Sequence, residues 1–472
     1  MIKIKIDLES QSILNQDQSK YIFETLCIIM GVPWKFVEQD DEEIDIYYGN
    51  NQPNKCKVNI RSRKNHLINP HIIQFQNLTF IEDKGKENSP FLNQDDCHHF
   101  YNDIIFSCFY LLTGVDEKNI ERNKWDQHNI KDSILHKFNT LHRPIVNEYA
   151  NFLKQLFIGK FDFIPLWPEN KQAALVLSHD VDYPEMIRSI ELLRYLYKNK
   201  LKSKRKSIAD IISGKETFWQ FQNYMMIEKK YNVRSAFYFC SFKGNLARYF
   251  ITATDTFYDI RKSNFIQLAQ ELKSEGFEIG LHSSYLAYQS KKQFLTEVNK
   301  LKETFNLNEV GHRHHYWHTN PENPSETCQL HHECGLSYDS SISFEQHSGF
   351  RYSICTPYRL WHNGKNKSLD ILQLPPTLMD DHLFGYKHLS NFRSYQENID
   401  SLIDAILMNN GLFVANFHDR ILNDTFFPNW GSSYEYLLNQ IQKTNKFHID
   451  TPMNINNYWK EREIKIRSKI QP

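Results

Sequence analysis

Residues 173–182 read Ala-Ala-Leu-Val-Leu-Ser-His-Asp-Val-Asp. An unbroken apolar run that ends in polar residues fits a strand covered on both faces. If the extended geometry persists past the run, Asp180 and Asp182 project to the same side. Two such carboxylates raise each other's pKa, and a cation between them offsets the repulsion. One can then hold a divalent metal while the other keeps its charge as a base.

The same texture recurs downstream. Apolar runs at 236–240, 277–281, 309–316, 369–374 and 412–417 alternate with helix-like segments near 217–230, 265–274, 292–305, 324–334 and 399–409. Six strands separated by helices indicate a parallel α/β sheet, open or closed into a barrel. Such folds place chemistry just beyond the carboxyl ends of their strands, and those positions are rich in imidazoles. The third run leads into His282-Ser-Ser-Tyr285, the fourth into His312-Arg-His-His-Tyr-Trp-His318 and the last into Asn416-Phe-His-Asp419. Seven of the 21 histidines fall between 312 and 347, which solvation alone does not explain. If the fourth strand continued, Arg313, His315 and Trp317 would share one face, and His312, His314, Tyr316 and His318 the other.

Asp and His ligands suit zinc or a similar first-row divalent metal with an open position. Such a site acidifies water and polarises a carbonyl. A neighbouring carboxylate can accept the water's proton, and an imidazole opposite can protonate a leaving amine. The chemistry indicated is amide or ester hydrolysis.

The whole chain sets outer limits. At 472 residues it is long enough for two or three domains. Its 56 basic and 56 acidic residues cancel, so no global field recruits nucleic acid or an anionic membrane. A 40% hydrophobic and 14% aromatic content supports a sizeable core. The opening residues alternate as a strand does rather than forming a signal peptide. The densest apolar stretches are far short of the ~20 residues a spanning helix needs. The eight cysteines form no CxxC pair and read as free thiols. A cytoplasmic address is the expectation, and the oligomeric state is open.

Residues 1–160 read as a smaller mixed α/β domain: strands at 2–8, 44–48 and 57–61, helices at 21–30 and 99–112, and a polar helical stretch at 131–158. Asp95-Asp-Cys-His-His99 has ligand atoms, but consecutive helical residues point apart, so a docking or structural role is preferred. Six basic residues among 198–206 mark a solvated loop in an insertion near 184–215, with contact to an anionic glycan, lipid phosphate or nucleic acid as the alternative.

The strand-end segments resemble the polysaccharide deacetylase family, the NodB-homology or carbohydrate esterase family 4-like group, over roughly 167–456. Ser178-His-Asp-Val-Asp182 is similar to the family's first motif, which makes Asp180 the implied base and Asp182 a metal ligand. His282-Ser283 matches half of the second motif, but Leu286 stands where its second histidine is expected. His315, sharing a predicted face with Arg313, is the implied substitute ligand. Arg313 matches the arginine that orients the base, Tyr338-Asp339-Ser-Ser341 the fourth motif, and Asn416-Phe-His418-Asp419 the fifth, with His418 the implied acid. Gly280–Tyr285, Arg313–Tyr316, Tyr338–Ser341 and Gly349-Phe-Arg351 are closer to a divergent bacterial subgroup with an extra N-terminal domain.

The resemblance implies an irregular (β/α) barrel of the NodB type across 167–460. It implies a metal-dependent hydrolase removing N-acetyl or O-acetyl groups from a sugar of a polysaccharide, glycolipid or precursor. Tyr285, Trp317, Asp339 and Asp380 are the candidate substrate contacts. Asp419 is a candidate to help Arg313 hold the base and acid in position. The alternative is an inactive deacetylase-like protein that binds carbohydrate or serves assembly.

Overall fold

A computed structural model describes residues 1–38, 43–51, 55–85, 89–94, 96–122, 128–199, 205–244, 255–385 and 392–470. The N-terminal third builds a six-stranded sheet in the order Trp34–Phe36, Ile2–Asp7, Ile44–Gly49, Cys56–Arg61, Cys97–Phe100, Phe91–Gln94. All its pairings are parallel except the last. Helices Gln16–Met30, Ile104–Leu112 and Ile145–Leu156 pack with it, and Pro70–Phe75 pairs with Leu78–Asp83 in a separate hairpin. The helix expected at 99–112 begins only at Ile104, because Cys97–Phe100 is spent on the sheet. The helix expected at 131–158 is divided: a turn at Ile130–Asp132, a single helical turn at Ile134–Lys137, then Ile145–Leu156. Asn139 adopts φ 55°, and Pro144 supplies no N–H, so the helix restarts after it.

The remainder forms a curled, mostly parallel ten-stranded sheet with helices outside it, an α/β barrel-like layer of irregular closure. Its order is Tyr358–His362, Lys367–Gln373, Tyr338–Asp339, His312–His314, Glu278–Ser283, Ala236–Phe239, Ala173–Val181, Leu412–Asn416, Leu378–Met379. Phe447–Ile449 also pairs with the start of Ala173–Val181. Among the described residues no ladder joins the strand ending at Gln373 to the one starting at Leu378. The covalent segment 374–377 crosses that gap, with Leu374 N–H donating to Asp339 O and Thr377 N–H to Val414 O, each at 2.8 Å. Between them Pro375 and Pro376 have no N–H for a ladder.

The fourth strand is shorter than the apolar pattern suggested. It ends at His314; His315–Trp317 is a tight turn in which Tyr316 takes φ 56°. Helices Arg188–Asn199 and Arg205–Ser213 lie in the expected insertion, and much of the basic run lies outside the described residues.

Inside the barrel, one glycine within a strand and one just before the next strand make room for two phenols. A Cβ at Gly280 would stand 2.4 Å from the Tyr238 ring, and one at Gly311 2.0 Å from the Tyr338 ring. Both rings are fully buried. The Tyr238 hydroxyl lies 2.7 Å from that of Tyr338, which donates to Glu278.

One hydrophobic core runs through both sheets. Tyr21 O–H donates to Arg359 O at 2.7 Å and Arg462 Nη1 to Ile28 O at 2.7 Å, while Arg351 pairs with Glu117 at 2.8 Å. Among the described residues no helix is long and apolar enough to cross a membrane.

Gly311→Ala should force the Tyr338 ring out of place and lower the unfolding free energy by about 1–3 kcal/mol, the usual cost of overfilling a packed core; urea unfolding of the variant beside the parent measures it.

Candidate functional site

Parallel registry brings the strand ends together. Asp180 pairs with Tyr238, His282 with Arg313, and Ser178 with Asn416. Alternation along Ala173–Val181 turns Ser178 and Asp180 toward the interior. His179 faces the outer helices instead: its Nδ1 meets Phe417 O at 2.8 Å and its Nε2 meets Glu228 at 2.8 Å. Tyr434 donates to the same carboxylate.

Arg313 is completely buried. Its Nη1 reaches Ser178 Oγ at 2.8 Å and Asp180 Oδ1 at 3.0 Å; Nε and Nη2 donate to Ser340 O and Ser340 Oγ. The guanidinium lies 4.6 Å from the Tyr238 ring centroid. Asn416 Nδ2 donates to Asp180 Oδ2 at 2.7 Å. Burial alone would raise the Asp180 pKa, but Arg313, with His282 and His418, holds it below the ordinary carboxylate value.

Asp182, His282 and His315 form a buried group whose ligand atoms lie within 4.8 Å of one another. Asp182 Oδ1 is 3.3 Å from His282 Nε2 and 3.4 Å from His315 Nε2, yet it has no hydrogen-bond partner. His282 Nδ1 donates to Arg313 O at 2.8 Å, which leaves Nε2 as the nitrogen facing Asp182. Burial by itself raises the Asp182 pKa, while His315 and His282 take it well below its ordinary value. An orphaned carboxylate oxygen facing two imidazole nitrogens fits a divalent cation with zinc-like preferences. Leu286, which stands where a second motif histidine was expected, is 43% exposed, and His315 reaches the group from the turn after the fourth strand.

His418 completes the ring. Its Nε2 is 3.5 Å from Asp182 Oδ2. Asp380 grips it from behind, Oδ2 accepting from His418 N–H at 2.8 Å and Oδ1 lying 2.7 Å from Nδ1. Burial would lower the His418 pKa, but Asp380 leads the carboxylates that hold it well above the ordinary imidazole value. Asp419, the other carboxyl considered for positioning, is pushed up to about 8 by burial despite the adjacent Arg420, and the carboxyl in contact with His418 is that of Asp380.

A cavity of about 90 Å³ opens here, lined by Asp180, Asp182, His282, His315 and His418 together with Trp317. Tyr183, Tyr316, Glu345, Met379, Asp381 and Arg420 complete its wall. Arg420 stacks on Tyr183 at 4.5 Å, and burial beside Asp380 raises the Asp381 carboxyl to about 6.

Three expected substrate contacts stand elsewhere. Asp339 points to the outer face because Tyr338 takes the inner one, and it is wholly buried against His312 and His331. Asp380 is wholly buried behind His418. Tyr285 stacks on His318 at 3.9 Å, behind Tyr316; Tyr316, 39% exposed, takes the place in the aromatic wall.

No curated protein matches the chain in sequence. A model described as a family of unknown function, DUF7033, matches residues 8–162. Solved structures similar to the chain include a protein from Mycobacterium smegmatis described as a polysaccharide deacetylase, at 16% identity and TM-score 0.41, covering 63% of this chain and 93% of that one. A second, from Pseudomonas aeruginosa and described in the same terms, gives 15%, 0.42, 65% and 97%. PuuE allantoinase gives 13%, 0.42, 64% and 95%.

Asp380→Asn should return the His418 pKa toward the ordinary imidazole value, since the opposing charge is lost while the shape stays. Following the imidazole Cε1–H resonance of metal-free protein across pH tests this: protonation should be lost at a lower pH in the variant than in the parent.

Proposed function

We propose that this pocket hydrolyses an acetyl group, amide- or ester-linked, from a sugar of a polysaccharide, glycolipid or biosynthetic precursor. The observation that carries this reading is the pair of contacts flanking Asp182: Arg313 Nη1 lies 3.0 Å from Asp180 Oδ1, which favours a carboxylate there, and Asp380 Oδ1 lies 2.7 Å from His418 Nδ1, which favours an imidazolium. Groups pushed apart in this way take the roles of base and acid.

Asp182, His282 and His315 would hold a divalent ion, zinc being the best match to one carboxylate and two imidazoles. When bound, that ion supplies polarisation of the acetyl carbonyl and acidifies water. Asp180 accepts the proton of the attacking water as its oxygen bonds to the acetyl carbon. The carbon–nitrogen bond then breaks, and His418 Nε2 gives its proton to the departing amine. One water is consumed, and acetate and a free amine leave. Arg313 keeps Asp180 charged and aimed, and Asp380 does the same for His418. Tyr183, Tyr316 and Trp317 offer ring faces against which sugar C–H groups can pack, and Arg420 and Asp381 offer charged partners for hydroxyls. In this reading the barrel of 167–460 carries the chemistry, and residues 1–160 form a domain that supports it.

Purified protein given N-acetylated chito-oligosaccharides should release acetate, and a chelator should stop it until zinc is returned. Asp180→Asn should lower the rate by about 10²–10⁴-fold, the usual worth of a positioned acid or base, and His315→Ala should reduce bound metal. Release by Asp180→Asn at the parent's rate would overturn the mechanism. No release by any form, with or without zinc, would favour a carbohydrate-binding protein.

A further inference from the structure

A second cluster of ligand-type side chains lies on the outer face of the barrel, separate from the pocket. Alternation that aims Arg313 inward aims His312 and His314 outward, toward helix Pro324–Glu333, which supplies Cys328 and His331. Asp339 joins them from the next strand. All five are buried, each 0% exposed. Two sets of three in this cluster have ligand atoms within 4.8 Å of one another: Cys328, His331 and Asp339, and His312, His314 and His331. His331 belongs to both.

The hydrogen bonds separate these residues. His312 is satisfied at both nitrogens, Nδ1 at 2.7 Å from Asp339 Oδ1 and Nε2 at 2.8 Å from Ser283 Oγ. His314 has no hydrogen-bond partner at either nitrogen. His331 has none either, although its Nδ1 stands 3.2 Å from Asp339 Oδ1. Gln373 Oε1 is a fifth orphaned atom here, while its Nε2 contacts Cys328 Sγ at 3.4 Å. Cys328 Sγ is 3.9 Å from Asp339 Oδ2. Buried polar atoms without partners are rare and costly, and this many in one place call for a missing partner that accepts lone pairs.

We propose that Cys328, His331 and Asp339 bind a structural zinc-class ion, with His314 turning in as fourth ligand. Sulfur, nitrogen and oxygen donors in a closed shell are what such an ion takes when it serves structure. Cys328 binds as thiolate, its proton passing to solvent. With the Asp339 carboxylate it balances the divalent charge, so the buried site carries no net charge. The ion ties helix Pro324–Glu333 to the strands that carry Arg313 and Asp339, bracing the pocket from outside. It is independent of the pocket cation proposed above.

Full-length protein loaded with zinc and freed of excess should carry two ions per chain by elemental analysis. Asp182→Ala should carry one and His331→Gln one. A single ion that is lost in Asp182→Ala and kept in His331→Gln overturns the second site; the reverse pattern leaves it standing and removes the pocket cation instead. Cobalt(II) gives a reading that does not depend on His331→Gln folding. Asp182→Ala loaded with cobalt should show thiolate-to-metal charge transfer in the near ultraviolet, and adding Cys328→Ser should abolish it. A band that survives Cys328→Ser, or no band in Asp182→Ala, overturns the assignment of the thiolate.

Discussion

A guanidinium and a carboxylate sealed from water hold the architecture of the pocket. Leaving either charge buried alone costs several kcal/mol, so Arg313 and Asp180 stay within reach of each other only while their strands keep registry. Arg313 also spends its donors on Ser178 and on both oxygens of Ser340, which commits three separate strand ends to one arrangement. The stack on Tyr238 ties in a fourth. The glycines at 280 and 311 belong to the same constraint, because they clear the floor on which that stack rests.

Strand alternation then divides the chemistry between two faces. Asp180, Asp182, His282 and Arg313 look inward and meet; His179, His312, His314 and Asp339 look outward and meet helices. Neighbours in sequence therefore serve different neighbourhoods. His179 links Phe417 and Glu228 while the residue after it faces the pocket, and one strand of three residues supplies both Arg313 and two outward imidazoles.

The barrel, its parallel order and the convergence of Asp180, Asp182, His282, Arg313 and His418 were legible from the sequence because apolar runs end where these residues begin, and period two carries their side chains to one side. His315 was legible only by another route: alternation assumed a strand continuing to Trp317, whereas the strand stops at His314 and the left-handed Tyr316 makes the turn that delivers the ring. Asp380 was read as a substrate contact because nothing periodic marks the two-residue strand before it, and its grip on His418 needs the three-dimensional pairing with Leu412–Asn416. Asp339 was misplaced by taking a motif match as a direction, when Tyr338 already fills the inner face. In the N-terminal sheet, strand Cys97–Phe100 was hidden by the strongly helical residues that follow it.

The sheet does not close on itself: its outermost strands are Tyr358–His362 and Leu378–Met379, and residues 374–377 carry the chain from the strand ending at Gln373 across to Leu378. The strands bearing Asp180, His282 and Arg313 lie in the middle of the paired arc, whereas Asn416 stands on the strand paired directly with Leu378–Met379. Any shift of the 374–377 segment would reach the site through Asp380, whose carboxylate meets both the backbone N–H and the Nδ1 of His418.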